Sequence, residues 1–178
     1  TSLFMLLLWS LRRSETTIGT FGALGLLASL RNHMYFVVGT PLPPLLADWL
    51  YFVAQIVSVV LLGLFAMAFS ERRPLLYRRA LIATAMLLPL AGAFAAGLGE
   101  LHRARAWCYP WLMAMALPAP WLVLQTALSR RSATELTLVA GIAVVLAAGV
   151  HDYLCQQGLT SVMDSYWLPN TVPLLIAI

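Results

Sequence analysis

Charge is what this sequence has least of: 10% of its 178 residues are charged and 61% are hydrophobic, where a soluble domain carries about 25% charged residues. A soluble globular domain is excluded on that ground. So is a disordered chain, which stays open only with low hydrophobicity and high charge. Lysine is absent, and all eleven basic side chains are arginine. Eight of these sit in short clusters between apolar tracts, which is the pattern of membrane loops and not a continuous basic face. The net charge of +4 therefore does not point to a nucleic-acid partner. Period-two alternation is missing, which excludes an outer-membrane barrel. A Gly-rich phosphate loop, a His-Glu-x-x-His helix and a Gly-x-Ser-x-Gly elbow are missing too, so no catalytic constellation can be named. The chain lacks an initiating Met and a signal-peptide pattern. Both of its ends read as cut spans, and a longer parent protein is expected.

What is present is a series of Leu-, Ala- and Gly-rich tracts. In lipid every backbone polar group must be satisfied, so such tracts are expected to be helices. Taken between charged clusters, they predict an all-α membrane protein, a seven-transmembrane helix bundle whose first and last helices are truncated. The spans fall at about 1–11, 16–38, 48–69, 80–99, 109–128, 136–157 and 168–178, in a single transmembrane sensor domain covering 1–178. Thr16 and Thr17 can cap the second helix, and Pro41, Pro43 and Pro44 stop it after Gly39. Pro89 suggests a kink in the fourth span, and Pro118 and Pro120 interrupt the fifth. Glycine and alanine stripes at Gly19, Gly22, Gly25 and Ala28, at Gly92, Ala95, Ala96 and Gly99, and at Ala147, Ala148 and Gly149 suit close helix packing.

Arginine counts set the orientation. Arg12, Arg13, Arg72, Arg73, Arg78, Arg79, Arg130 and Arg131 fall on one side, Arg103 and Arg105 on the other, and the eight mark the cytoplasm of a bacterial inner membrane. Tyr35, Phe36, Trp49, Tyr51, Phe52, Trp107, Tyr109, Trp111, Tyr166 and Trp167 then fall near outer boundaries as an interfacial belt.

Ionisable groups inside spans are costly and are the default functional candidates. Arg31, Asn32 and His33 on the second span share a depth with His151 and Asp152 on the sixth. Asp152 is the natural partner for Arg31, with Asp48 as the competitor. Such a layer either locks two helices together, leaves Arg31 to snorkel outward, or senses a ligand or protons through His33 and His151. His151 and Cys155 share a helix face, but no dense ligand motif accompanies them and no metal is assigned. A Cys108–Cys155 disulfide remains open.

Leu30-Arg31-Asn32, the Pro41 to Pro44 loop with Asp48-Trp49, the arginine loop after the third span, His151-Asp152 and the Tyr166 to Pro173 lead-in resemble one family. That family is the bacterial seven-transmembrane receptors with diverse intracellular signalling modules. Within it the chain looks most like the membrane sensor part of a sensor histidine kinase. The resemblance implies a homodimeric receptor in the lipid bilayer that takes a periplasmic ligand and relays it through helix seven. It also implies a kinase beyond residue 178 that uses ATP and Mg and hands phosphate to a response regulator. A diguanylate cyclase is the other output the resemblance allows. The rival from a different class is a small transporter or channel with Arg31, Asp152 and the proline-broken helices as its path. An intramembrane enzyme built on His151 and Asp152 is a third.

Overall fold

The computed structural model describes residues 2–36, 42–131 and 133–159, without the side chains of 31–36, 134 and 156. These residues form α1 (Ser2–Leu11), α2 (Thr16–Phe36), α3 (Pro44–Ser70), α4 (Leu75–Gly97), α5 (Leu101–Ala116), α6 (Pro118–Arg130) and α7 (Ala133–Gln156). α5 and α6 are two halves of one 30-residue apolar tract, Leu101–Arg130. Pro118 and Pro120 have no N–H to continue the hydrogen-bond ladder. Leu117 nevertheless keeps helical dihedrals, φ −57° and ψ −37°, so the chain runs on while the ladder lapses.

The seven-transmembrane expectation is therefore corrected. With α5 and α6 taken together the described residues make six helices, and four are long and apolar enough to cross a membrane: Pro44–Ser70, Leu75–Gly97, Leu101–Arg130 and Glu135–Cys155. α1, of ten residues, and Thr16–Leu30 of α2 are shorter apolar helices. The expectation took the first as a truncated span and carried the second through Arg31, Asn32 and His33 to 38. The expected span 168–178 lies outside the described residues.

Charged residues also lie inside helices that were read as starting later. Arg78 and Arg79 belong to the first turns of α4, and His102, Arg103 and Arg105 to those of α5. Two glycines end helices in the left-handed conformation. Gly99 (φ +74°) follows α4 and Gly158 (φ +69°) follows α7. After each, the chain folds back through paired bonds, Glu100 N–H to Ala95 O with Gly99 N–H to Ala96 O, and Leu159 N–H to Leu154 O with Gly158 N–H to Cys155 O. This is the Schellman arrangement, which satisfies the last free carbonyls. Gly99 thus serves as a stop and not as part of a packing stripe.

From α2 to α5 each helix runs antiparallel to the one before it. Phe21 near the start of α2 meets Phe65 near the end of α3, with ring centroids 5.6 Å apart. The Trp49 indole N–H, early in α3, donates to Pro89 O in α4 at 3.1 Å, and that of Trp111 donates to Thr84 Oγ1 at 3.0 Å. Both indole N–H groups thereby find an acceptor on the neighbouring helix, as one away from water requires. α3 is the axis of the bundle and packs against α2, α4, α5 and α6; α7 lies on α6 and α5. Phe52, Ile56, Leu81 and Val123 are fully buried around that axis. Among the described residues α1 packs on α2 alone, and the glycine ledge explains how closely. A Cβ at Gly19 would lie 2.7 Å from the Trp9 ring, and one at Gly22 3.2 Å from the Leu6 backbone nitrogen.

Large apolar side chains cover the outside. Leu76, Met86, Leu87, Leu90 and Phe94 of α4, Trp107 of α5 and Leu128 of α6 are all exposed. A contiguous apolar surface of that extent suits lipid and not water. At one end of the bundle Arg130 of α6 bridges Glu71, which caps α3, at 3.3 Å, and Glu135 of α7 at 3.2 Å. The ends of α3 and α6 and the start of α7 are thereby gathered together. Glu71 and the guanidinium are exposed, so that pair orders the loop more than it stabilises the fold, whereas the Glu135 side chain is largely buried.

Candidate functional site

A partly open cavity of about 170 Å³ lies where α2, α3, α5 and α7 converge. Its wall is apolar almost throughout: Phe21, Leu24 and Ala28 come from α2, Val59 and Leu62 from α3, Ile142 and Val145 from α7. α2 and α7 both line it yet do not pack on each other among the described residues. The cavity exists because small residues stand where helices converge. Ala28, Ser58, Ala116 and Gly149 all contribute to the wall.

Polar atoms enter the wall at one place. Gln55, in the middle of α3 and 6% exposed, donates from its amide nitrogen to the Tyr109 hydroxyl of α5. Its carbonyl oxygen Oε1 is buried with no hydrogen-bond partner among the described residues. Ser58, one turn on, returns its hydroxyl to its own helix at Ala54 O, 2.8 Å away. An amide stranded in apolar surroundings is costly, because the oxygen has lost water and gained nothing. Removing both members of the Gln55–Tyr109 pair relieves that cost. Gln55→Leu combined with Tyr109→Phe is expected to leave thermal stability in detergent within about 1 kcal/mol of the native chain, whereas Tyr109→Phe alone strands the whole amide and should be the less stable of the two. A double variant clearly worse than Tyr109→Phe would show that the pair is a stabilising contact.

From Tyr109 the wall leads to the far end of α7. The Tyr109 ring stacks on Tyr153, centroids 5.2 Å apart. Next to Tyr153 are His151 and Asp152, with His151 Nδ1 3.2 Å from Asp152 Oδ1, and Cys155 Sγ lies 3.8 Å from His151 Nε2. Asp152 is buried at 4% exposure. The structure thus joins His151 to Asp152 and brings the Cys155 thiol beside them. No disulfide joins Cys108 to Cys155. Asp48 is exposed near the start of α3. Arg31, Asn32 and His33 are on α2, but their side chains, and with them the Arg31–Asp152 pairing, lie outside the described residues.

Gln55 and Tyr109 are functional candidates that a search for ionisable groups passes over. Gln55 carries no charge, and Tyr109 falls among aromatics that suit a membrane interface. A signal for Gln55 was nonetheless present, since it is the one carboxamide between Trp49 and Phe69. A polar group at that depth needs a partner whether or not it ionises.

No protein-family model, curated protein or solved structure matches the chain. The resemblance to seven-transmembrane receptors is overturned by the helices themselves: among the described residues four can span a membrane where the family requires seven. With that resemblance go the sensor histidine kinase and its transferase activity, which nothing else supports. What stands is a helical bundle with, among the described residues, four apolar helices of membrane-spanning length and a cavity between helices.

Proposed function

We propose that this chain is a membrane-embedded sensory domain whose receptive element is the cavity between α2, α3, α5 and α7. The observation that carries the reading is the continuity from cavity to helix end: Gln55 in the wall bonds Tyr109, Tyr109 stacks on Tyr153, and Tyr153 lies next to the His151–Asp152 pair near the close of α7. Filling the cavity pushes on α7, which packs only on α5 and α6 among the described residues and has room to move away from α2. In this reading the arginine-bearing ends face the cytoplasm, the His151 end faces outward, and the bilayer is the surrounding partner.

A permanent filler tests the coupling without any ligand. Ser58→Leu with Ala28→Leu occupies the cavity from two walls, while spin labels at the exposed positions Trp107 and Val150 report the separation of α5 and α7. The filled variant is expected to shift that distance by about 1–2 Å, the scale of helix shifts in switching proteins. An unchanged distance in a folded, filled variant would defeat the sensory reading. The interruption at Leu117 favours a second reading, transport, because discontinuous helices form the substrate sites of many transporters. Solute flux in proteoliposomes that the filler abolishes, with the α5–α7 distance unmoved, would select it.

A further inference from the structure

The chemistry of the cavity narrows what it takes. Its volume of about 170 Å³ is close to that of an apolar protein cavity of about 150 Å³ that stays dry and admits benzene. A one-ring molecule matches that space. Among the described residues no charged side chain lines it, and against such a wall an ion would lose its hydration without compensation. Gln55 is a lining residue, and its Oε1 is an acceptor that no described residue engages; the atom is covered beside the Tyr109 hydroxyl held by the same amide, so a guest meets it as the amide turns toward the cavity.

From these observations we infer that the cavity binds a small uncharged molecule of one-ring size, apolar over most of its surface and carrying a single hydrogen-bond donor that Gln55 Oε1 accepts, phenol being the simplest representative. The inference rests on the cavity being the ligand site. A donor arriving at Oε1 satisfies the buried oxygen, so binding gains both the new bond and relief of the stranded group. A ring without a donor gains only contact with the apolar wall. A ring with an acceptor alone sets two oxygens against each other.

The test uses the full chain in nanodiscs and measures saturable binding of phenol, toluene and anisole, with empty nanodiscs to subtract partition into lipid. The native chain is expected to bind phenol and toluene saturably and anisole more weakly than either. In the Gln55→Leu/Tyr109→Phe variant the phenol Kd is expected to weaken about tenfold, the equivalent of one net hydrogen bond, while the toluene Kd moves less than about twofold. Ser58→Leu with Ala28→Leu should remove saturable binding of both. If phenol affinity survives the double variant, or anisole outbinds phenol, the donor assignment is overturned while the cavity remains a ligand site. If no probe binds the native chain saturably, the inference and the receptive cavity both fall.

Discussion

Replacing Gly92 with leucine is expected to cost the bundle about 3 kcal/mol, the upper range for overpacking a well-packed core. Gly92 is where α4 lies against α3. A Cβ built there would come within 2.6 Å of Phe52 Cε1 and 2.7 Å of Phe52 Cδ1. The Phe52 ring is fully buried and cannot swing aside, and the backbone is anchored nearby by the Trp49 bond to Pro89 O. The two helices must then separate, and in a bilayer close packing of this kind, not apolar burial, is what holds helices together. Even alanine should be resisted. Gly97→Ala provides the control, since a Cβ there meets nothing within 4 Å, and it should be neutral or stabilising by about 0.5 kcal/mol through helix propensity and lost backbone freedom. Thermal unfolding in one detergent separates the two. Equal stabilities for Gly92→Leu and Gly97→Ala would mean that α3 and α4 are not in this contact. Pairing Gly92→Ala with Phe52→Leu should recover part of the loss, because trimming the ring opens the space that the methyl group needs.

The second large effect concerns the interrupted stretch between α5 and α6. Tyr77 of α4 reaches across to donate its hydroxyl to Met115 O at 2.8 Å, two residues before the break at Leu117. It passes over Gly63 of α3, where a Cβ would sit 2.7 Å from the Tyr77 oxygen. Three helices are thus tied at one point, and the point exists only because α3 has no side chain there. Tyr77→Phe keeps the ring and deletes the bond, at an expected cost of about 1.5 kcal/mol, the upper range for such bonds between membrane helices. Amide exchange in residues 116–121 should rise with it, since the neighbouring prolines give that stretch fewer bonds of its own to hold it. A stability change below about 0.3 kcal/mol with unaltered exchange would show that the break needs no such support.

Much of the local structure could be read in the residues. Thr16 begins α2, Pro118 and Pro120 interrupt the α5–α6 tract, and the Gly19, Gly22 and Gly25 stripe packs against α1; Pro44, expected only to stop the preceding helix, itself opens α3 ahead of the expected start at 48. These are short-range effects of missing donors, missing Cβ atoms and apolar periodicity, and each is written in a few neighbouring residues. The number of spans is a different kind of quantity. It depends on whether a tract between charges is long enough for the bilayer, and on whether arginines such as Arg78, Arg79, Arg103 and Arg105 begin a helix or precede one. The site was harder still. His151, Asp152 and Cys155 come together because they are neighbours on one helix, and could be proposed. The Gln55–Tyr109 contact spans 54 positions and depends on how α3 and α5 face each other, which no local pattern records.

α1 reaches the rest of the bundle only through α2, so it can lift away without disturbing the buried residues around α3, and its opening free energy should be the lowest of any helix described. Yet it stands directly behind the cavity. Gly25 lines the cavity from one side, while on its other side a Cβ would lie 2.5 Å from Ser2 Oγ of α1. The wall there is a single backbone thick, with α1 as its backstop. Mechanically, α1 is a set-screw: its seating on the glycine ledge fixes how far α2 can yield, so residues with no access to the cavity, Trp9 and Ser2 among them, govern how wide it can become.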